Sequence, residues 1–527
     1  MNIKKQIQKT LILITLFFPQ TFLFGNNIQV SNISLTGKDT VSKFTMIQFD
    51  ISWENSWRTS TLESNWDAAW IFAKYRKKSE TAWYHACLNN TGHTVPAGSE
   101  LTPGLPVVNV PFNATTNPVV GVFLYRNADG IGNVNYTGVQ LRWNYGVNGL
   151  AAGDSVEVCV YAIEMVYIPT GAFYVGDRVG FVSQSPGHFV AGTTTKPFQI
   201  TSEAELTIDS NATTELWGIS NTGASTIGPV GTLPAQFPKG YQSFYIMKYE
   251  LSQYMYKEFL NKLTQIQQNA RASAITADRF MANTDTSIVP QYRNGIKVMS
   301  DPGGTLPRVY GNDLNNNGTE GEADDGQHIA CNWLSFYDLM AFADWSGLRP
   351  FTELEYEKAC RGTLNPTADE CAWGTANMTF ATGISNPDMA NERATNAGAN
   401  VNSNRELGVL GPMRCGSFAG MATNREQAGA TYYGVMEMSG NLWEYAYSVG
   451  LVLSRSFNGN NHGDGFIAVS GNTNVADWPI RAGIRGGAWH DFVTYNALQV
   501  SSRYSASSAY TSGRHRSTGI RLVRTQP

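Results

Sequence analysis

Oxygen-bearing side chains alternate along one short segment of the chain, and their spacing could hold a metal ion. Asp313, Asn315 and Asn317 precede Gly318, and Asp324 stands six residues after that glycine. Oxygen donors at alternate positions, with a glycine for the sharp turn, form the EF-hand-type pattern of calcium loops. The twelfth position of the pattern is Asp324, whereas an EF-hand has a glutamate there that binds the ion through both oxygens. No clear helix precedes the loop. We predict calcium here, with a solvated acidic turn as the alternative.

Cysteine is the other residue type that could carry chemistry. The six cysteines are Cys87, Cys159, Cys331, Cys360, Cys371 and Cys415. An even number of cysteines permits disulfides where a chain is exported, and the pairs Cys87–Cys159 and Cys360–Cys371 are candidates. Buried free thiols are the alternative. The sequence contains no CxxC motif, so we predict neither a thiol redox centre nor a zinc knuckle.

Residues 489–517 form a stretch rich in tyrosine, serine, arginine and histidine. Tyrosine offers a large contact area at low entropy cost and serine adapts its hydrogen bonds, a composition typical of recognition surfaces. We predict that a protein or glycan ligand binds here, and an ordinary divergent loop is the alternative. The candidate ligand-binding residues are Trp489, His490, Asp491, Phe492, Tyr495, Tyr504, Tyr510, Arg514, His515 and Arg516.

The N-terminal segment 1–25 has the pattern of a signal peptide. Lys4, Lys5 and Lys9 precede an apolar run, Leu11 to Phe18, that is too short to span a bilayer. We therefore predict export to the periplasm, the cell surface or the medium, with no transmembrane segment in the mature chain. The formal net charge of -4 and the lack of a long basic run exclude nucleic acid as an expected partner.

The elements that must position these groups fall into two regions. Residues 26–162 predict an all-β, sandwich-like domain of short strands separated by turn signals. The predicted strands are Ile28–Leu35, Thr45–Trp53, Ala68–Arg76, Val119–Tyr125, Val139–Trp143 and Val156–Ile163. Residues 163–527 contain three helical patterns, which begin near Ser252, at Ser335 and at Thr352. The last two open with capping-box patterns.

Five separated stretches of the second region match one family in order. They are Met165–Phe173, Tyr245–Ser252, Asn332–Asp338 with Leu348–Glu357, Gly434–Tyr445, and Arg485–Trp489 with Gly519–Val523. The chain thereby resembles the formylglycine-generating, or sulfatase-modifying-factor, family. The resemblance implies an α+β, C-type-lectin-like fold for residues 163–527, with an insertion at about 178–240.

The chemistry of that family does not transfer with the fold. The oxidases of that family hold copper with two cysteines, because Cu(I) prefers thiolates. These cysteines follow a Gly-Gly-Ser-Trp-like motif, which Gly486–Trp489 matches here. Here His490 through Ser517 contains no cysteine, and Cys415 is the last one in the sequence. We predict no copper and no catalytic residues. An oxidase stays an alternative, as does an iron-dependent relative, although His462, His490 and His515 are too scattered to suggest a ligand set.

The resemblance also implies structural calcium. One family site maps onto the carboxylates of Glu437 and Glu444 with the carbonyls of Gly440 and Leu442. The alternative at this site is that Glu444 only hydrogen-bonds buried backbone. A second family site maps onto Asn391 and the carbonyl of Glu392, with its other ligands in a divergent stretch near Asn404.

Two other functions stay open from the sequence. One is a lectin-fold variable protein that a retroelement diversifies, because the 489–517 segment is similar in position to the variable segment of such proteins. A scaffold of the cell surface or of secretion machinery is the other, although the chain has no lipobox cysteine for an anchor.

Overall fold

The structure is a computed structural model that describes residues 27–104, 118–178, 187–219, 227–404, 409–491 and 496–527. The predicted signal segment 1–25 and two predicted ligand-binding residues, Phe492 and Tyr495, lie outside these ranges. Within them strands predominate over short helices, in several sheets. No helix in the described ranges has the length and apolar composition needed to cross a bilayer.

The strands of the N-terminal half are β1 Gln29–Asp39, β2 Phe44–Arg58, β3 Asp67–Lys77, β4 Tyr84–His85, β5 Ser99–Pro103, β6 Val122–Arg126, β7 Gly130–Trp143, β8 Val156–Ile168, β9 Phe173–Val175, β10 His188–Ala191, β11 Phe198–Ile200, β12 Leu206–Ile208, β13 Leu216–Ile219, β14 Gly231–Leu233 and β15 Phe244–Met247. The later strands are β16 Ile296–Ser300, β17 Val309–Asn312, β18 Phe351–Thr352, β19 Ile384–Ser385, β20 Arg393–Ala394, β21 Trp443–Tyr447, β22 Gly483–Arg485, β23 Thr518–Gly519 and β24 Val523–Thr525. The α-helices are α1 Gln253–Leu260, α2 Gln265–Arg271, α3 Phe336–Ser346, α4 Glu353–Arg361 and α5 Arg425–Ala428.

A seven-stranded sheet joins the two predicted regions. Its order is β24-β15-β8-β3-β6-β5, with β4 on the edge of β3. Strand β8 pairs with β3 on one side and with β15 on the other, so that Val166 faces Asp67 and Ile246. The domain boundary predicted at 162–163 therefore falls inside one strand, and the two regions share a sheet.

Strand β3 is buried on both faces because it separates two cores. Ala69, Ile71 and Ala73 pack against the sheet β1-β2-β7, whereas Trp70 and Phe72 pack into the core that contains α3. Residues alternate in this way because successive side chains of a strand point to opposite faces. The result is three layers: a three-stranded sheet, the seven-stranded sheet, and the helices with their long loops.

All three predicted helices are confirmed as α1, α3 and α4. Ser335 accepts a hydrogen bond from the backbone N–H of Asp338 at 3.2 Å, and the carboxylate of Asp338 accepts the N–H of Ser335 at 2.9 Å. The capping box at the start of α4 is equally complete between Thr352 and Glu355. Helix α2, which has a capping box from Thr264, was not predicted because its short sequence carries little apolar periodicity.

Four strands in the described part of the predicted insertion form a small sheet, order β10-β13-β12-β14, and a fifth, β11, pairs with β9. The apolar side chains of the small sheet, Phe189, Ile208, Leu216 and Leu233, join the main core.

None of the six cysteines is in a disulfide. Cys159 is half-buried and the other five are buried. Of the two alternatives that the sequence left open, the structure has the free thiols.

Candidate functional site

The segment Gly434–Tyr445 forms a tight turn that leads into β21. Glu437 and Asn441 both adopt left-handed backbone, with φ of 54° and 62°. Asparagine tolerates this conformation, whereas glutamate adopts it less often. The Asn441 side-chain oxygen accepts hydrogen bonds from the Asn402 amide at 3.1 Å and from the Met413 N–H at 2.8 Å. These bonds pin the turn to a neighbouring loop.

Three buried glutamates, Glu250, Glu437 and Glu444, surround this turn, and we call them the glutamate cluster. Arg521 donates from Nε to Glu444 at 2.7 Å, and its other nitrogens donate to backbone carbonyls of Met247 and Met436. The Glu250 carboxylate accepts the Leu442 N–H at 2.9 Å, and Glu437 accepts the Gly416 N–H at 2.8 Å. Arg521 therefore balances directly only one of three carboxylates.

The glutamate cluster holds less positive charge than its carboxylates require. Burial raises the pKa of Glu437 to about 7 despite the charge of Arg521. Burial raises the pKa of Glu444 too, and it raises that of Glu250 well above its ordinary value, with a further contribution from Glu444. The Oε2 atoms of Glu437 and Glu444 are buried without a hydrogen-bond partner. Two orphaned carboxylate oxygens fit a hard cation such as calcium.

At the second position implied for calcium, two arginines contact Glu392. The Glu392 carboxylate pairs with Arg293, and the Glu392 carbonyl accepts from Nε of Arg414 at 2.9 Å. Arg293 also pairs with Asp388 at 2.9 Å. The positive charge beside Glu392 therefore comes from guanidinium groups in this structure. A calcium site at Asn391 and Glu392 stays a prediction.

The acidic loop, residues 313–325, differs in detail from the predicted ligand pattern. Asp313 pairs with Lys297 at 2.8 Å and accepts the Asn317 N–H at 3.0 Å. The side-chain oxygen of Asn315 also accepts the N–H of Asn317, and that of Asn317 accepts the N–H of Thr319. The oxygens of the three predicted ligands are therefore engaged inside the loop. No helix precedes it, because β17 ends at Asn312.

Four of the predicted ligand-binding residues lie together with one tyrosine that the sequence did not indicate. The rings of Tyr292 and Trp489 lie 5.2 Å apart, those of Trp489 and His490 5.3 Å, and those of His490 and His515 6.3 Å. Arg516 stacks 5.0 Å from the Tyr292 ring, donates to its hydroxyl at 2.9 Å and contacts Nε2 of His490. We call these five residues the aromatic-histidine surface.

The exposed edge of the aromatic-histidine surface consists of polar groups. Trp489 is buried and His515 is exposed, while Tyr292, His490 and Arg516 are half-buried. Burial and the neighbouring Arg516 lower the pKa of His515. A neutral imidazole, a guanidinium and a tyrosine hydroxyl therefore lie side by side on a rigid aromatic base.

Sequence reasoning missed Tyr292 because the stretch around it carries no recognisable motif. Trp333 supports the base from below, with its ring 6.1 Å from that of Tyr292. The sequence did indicate the position of Trp333, because this residue lies two positions before Ser335, the N-cap of α3. Its φ of 58° is unusual for a bulky side chain.

The other predicted ligand-binding residues lie elsewhere. Arg514 pairs with Asp338 at 2.8 Å at the start of α3, and Tyr504 and Tyr510 pack against the main core. The Asp491 carboxylate turns back to accept the Ala488 N–H at 2.7 Å, and burial raises its pKa to about 7. These four residues support the fold and contribute little to the surface.

A buried ion network anchors the strand that leads into the aromatic-histidine surface. Glu353 and Glu357 of α4 pair with Arg485 of β22 at 3.1 and 2.7 Å. Arg503 pairs with Glu353 at 3.0 Å. All these side chains are fully buried, so the segment Arg485–Trp489 is fixed to α4 by charge-assisted hydrogen bonds.

Of the three histidines that are too scattered in the sequence to suggest an iron ligand set, His490 and His515 lie together in the structure. His462 is buried and accepts the N–H of Thr525 at 3.1 Å, away from the pair His490 and His515.

The sequence model for the sulfatase-modifying factor enzyme 1-like domain matches residues 153–526. Because this match covers more than half of the chain, the chain belongs to that family, as the five stretches predicted. The solved structure of Treponema denticola variable protein 1 is similar over 69% of this chain and 96% of that chain, with 11% identity and a TM-score of 0.29. None of the curated proteins compared with the sequence matches it.

Proposed function

We propose that this chain is an exported, non-catalytic member of its family that binds a protein or glycan ligand through the aromatic-histidine surface and is stabilised by calcium. The observation that carries the proposal is the position of the cysteines. The sequence has none after Cys415, whereas the family's copper site needs two in the stretch after Trp489.

The remaining thiols are poor substitutes for such a pair. Cys331, Cys360, Cys371 and Cys415 are fully buried, and burial raises the pKa of each thiol. A thiolate is the form that binds copper and attacks a disulfide or an oxidant. Buried thiols kept protonated supply neither reaction.

Contact is the use that best fits the aromatic-histidine surface. Tyrosine and arginine are among the residue types enriched at binding hot spots. Here the half-buried Tyr292 packs against the buried Trp489, and Arg516 stacks on Tyr292. The half-buried Arg516 offers a guanidinium to a carboxylate, sulfate or carbonyl oxygen of a ligand.

Calcium would be held by Glu437 and Glu444, with the carbonyls of Gly440 and Leu442 as further oxygen donors. The ion would supply the positive charge that the buried carboxylates lack. The turn that leads into β21 would then be held by the ion as well as by Asn441.

The non-catalytic part is tested with the full-length purified protein, copper and a cysteine-containing sulfatase peptide under air. We expect no dioxygen uptake and no aldehyde in the peptide, with an active family oxidase run in parallel as the positive control. Stoichiometric aldehyde formation would overturn the proposal.

The binding part is tested on an array of neutral, sulfated and uronic-acid glycans and on extracellular proteins of the same cell. We expect at least one partner whose affinity falls tenfold or more for His515→Ala combined with Arg516→Met. Lys78→Met is the matched control, because Lys78 is exposed on a turn after β3. Equal loss in the control, or none in the double variant, contradicts the proposed surface.

A further inference from the structure

The acidic loop contains a group of three carboxylates that has no part in the proposed function. Oxygen atoms of Glu322, Asp324 and Asp325 all lie within 4.8 Å of one another. Calcium binds oxygen at ~2.4 Å, so two ligands of one ion lie at most about 5 Å apart. The three carboxylates are therefore spaced for a single ion.

Asp325 gives an independent reason to expect a ligand. Its side chain is fully buried, and Oδ2 accepts the Glu322 N–H at 2.7 Å. Oδ1 of the same carboxylate is buried without a hydrogen-bond partner. Burial and the neighbouring carboxylates raise the pKa of Asp325. A solvated acidic turn would leave this oxygen to water, whereas a buried, unpartnered carboxylate oxygen is costly unless a cation meets it.

The first half of the acidic loop holds the second half in place. The side-chain amide of Asn315 donates to Asp324 at 3.1 Å and to Glu322 at 3.3 Å. Asp313 is fixed by Lys297. The loop is therefore preformed, and Asn315, which the sequence pattern offered as a ligand, positions the carboxylates of Glu322 and Asp324.

We infer that the acidic loop binds one calcium ion through Glu322, Asp324 and Asp325, separately from any ion at the glutamate cluster. The amide oxygen of Gln327 is a further candidate ligand, because it too is buried without a partner while its nitrogen donates to the Glu322 carbonyl at 2.8 Å. Several carboxylates in an irregular loop suit calcium better than magnesium, which requires strict octahedral geometry and keeps its waters.

The ion also stabilises one wall of a large cleft. Glu320, Gly321 and Gln327 line this cleft of about 810 Å³, which lies between the loop and strands β1 and β8. Calcium at the loop therefore fixes the shape of that wall.

The test is calcium titration by calorimetry on the full-length protein after chelator treatment. Asp324→Asn combined with Asp325→Asn keeps the acceptor for the Glu322 N–H but removes two charges. We expect this variant to lose one equivalent of calcium, or at least tenfold in affinity at that equivalent. Glu437→Gln with Glu444→Gln should retain the equivalent, which separates the two sites.

The matched control is Asp477→Asn with Glu205→Gln, which removes one Asp and one Glu charge from exposed positions. Asp324→Asn alone changes an exposed side chain and so does not depend on refolding of the loop. Calcium should slow proteolysis within 313–325 in the wild type and not in the variants. Unchanged stoichiometry and affinity in the Asp324 and Asp325 variants would overturn the inference.

Discussion

Nε of Arg521 lies 2.7 Å from Oε1 of Glu444, and both side chains are fully buried. The two residues come from separate family stretches, Gly519–Val523 and Gly434–Tyr445. The same guanidinium donates to the carbonyls of Met247 and Met436. Arg521 of the C-terminal stretch therefore bonds to both the end of β15 and the turn Gly434–Tyr445.

Removal of this arginine should destabilise the protein strongly. Arg521→Met leaves the glutamate cluster without its directly paired cation, and breaking a buried pair from one side costs about 3–5 kcal/mol. Urea unfolding measures the loss. Arg521→Met with Glu444→Gln should recover part of it, and Arg76→Met, which breaks a surface pair with Glu157, should cost at most about 1 kcal/mol. A single Arg521 variant as stable as the surface variant contradicts this account.

Stability should fall with rising pH when calcium is absent. The pKa of Glu437 is about 7 in the folded protein and 4.5 ordinarily, so the folded state holds a proton that the unfolded state has lost. Glu437 therefore contributes of order 3 kcal/mol to the free energy of unfolding below about pH 4.5, and this contribution is lost by about pH 7. Unfolding in chelator across that range, compared with Glu437→Gln, measures it.

In the Glu437→Gln variant this pH dependence should be reduced, because the amide does not titrate. Calcium should raise the melting temperature of the wild type more at pH 8 than at pH 5, since protons compete with the ion for the same oxygens. A larger calcium effect at pH 5 is incompatible with the glutamate cluster as the binding site.

The ion network behind the aromatic-histidine surface should be sensitive to a single neutral substitution. Burial alone would raise the pKa of Glu353, but Arg503 and Arg485 outweigh it and hold the pKa below its ordinary value. Glu353→Gln leaves two buried guanidinium groups undercompensated and should cost about 3–5 kcal/mol. Thermal and urea unfolding measure the loss, with exposed Glu205→Gln as the control. Equal stability of the two variants would show that the network contributes little.

The native thiols should react slowly and unequally. Burial raises the pKa of Cys87 to about 12, and Cys159 is half-buried, with a smaller shift in the same direction. A thiol reagent at pH 8 should label Cys159 first. All six cysteines should react after unfolding without reductant, because none is in a disulfide. Fewer than six reactive thiols in unfolded, unreduced protein would reveal a disulfide instead.

Several elements of the fold could be predicted because their signals are local. The capping residues Ser335 and Thr352 mark helix starts within one turn, and the alternation in Thr45–Trp53 marks a strand with one buried face. Helix α2 and strands β4 and β5 were missed because short elements are stabilised by what they pack against. The shared sheet was missed because pairing of β8 with β3 and β15 depends on residues far apart in sequence.

The same division applies to the candidate sites. The sequence by itself determined the family and the inventory of residues: no cysteine after Cys415, and carboxylates at Glu437 and Glu444. Only the tertiary structure decided which of them meet. It brought Tyr292 beside Trp489 and Arg516, turned Arg514 toward Asp338, and left an oxygen of Asp325 without a donor. An inventory is a property of the chain, whereas contacts, burial and charge balance depend on how distant segments pack together.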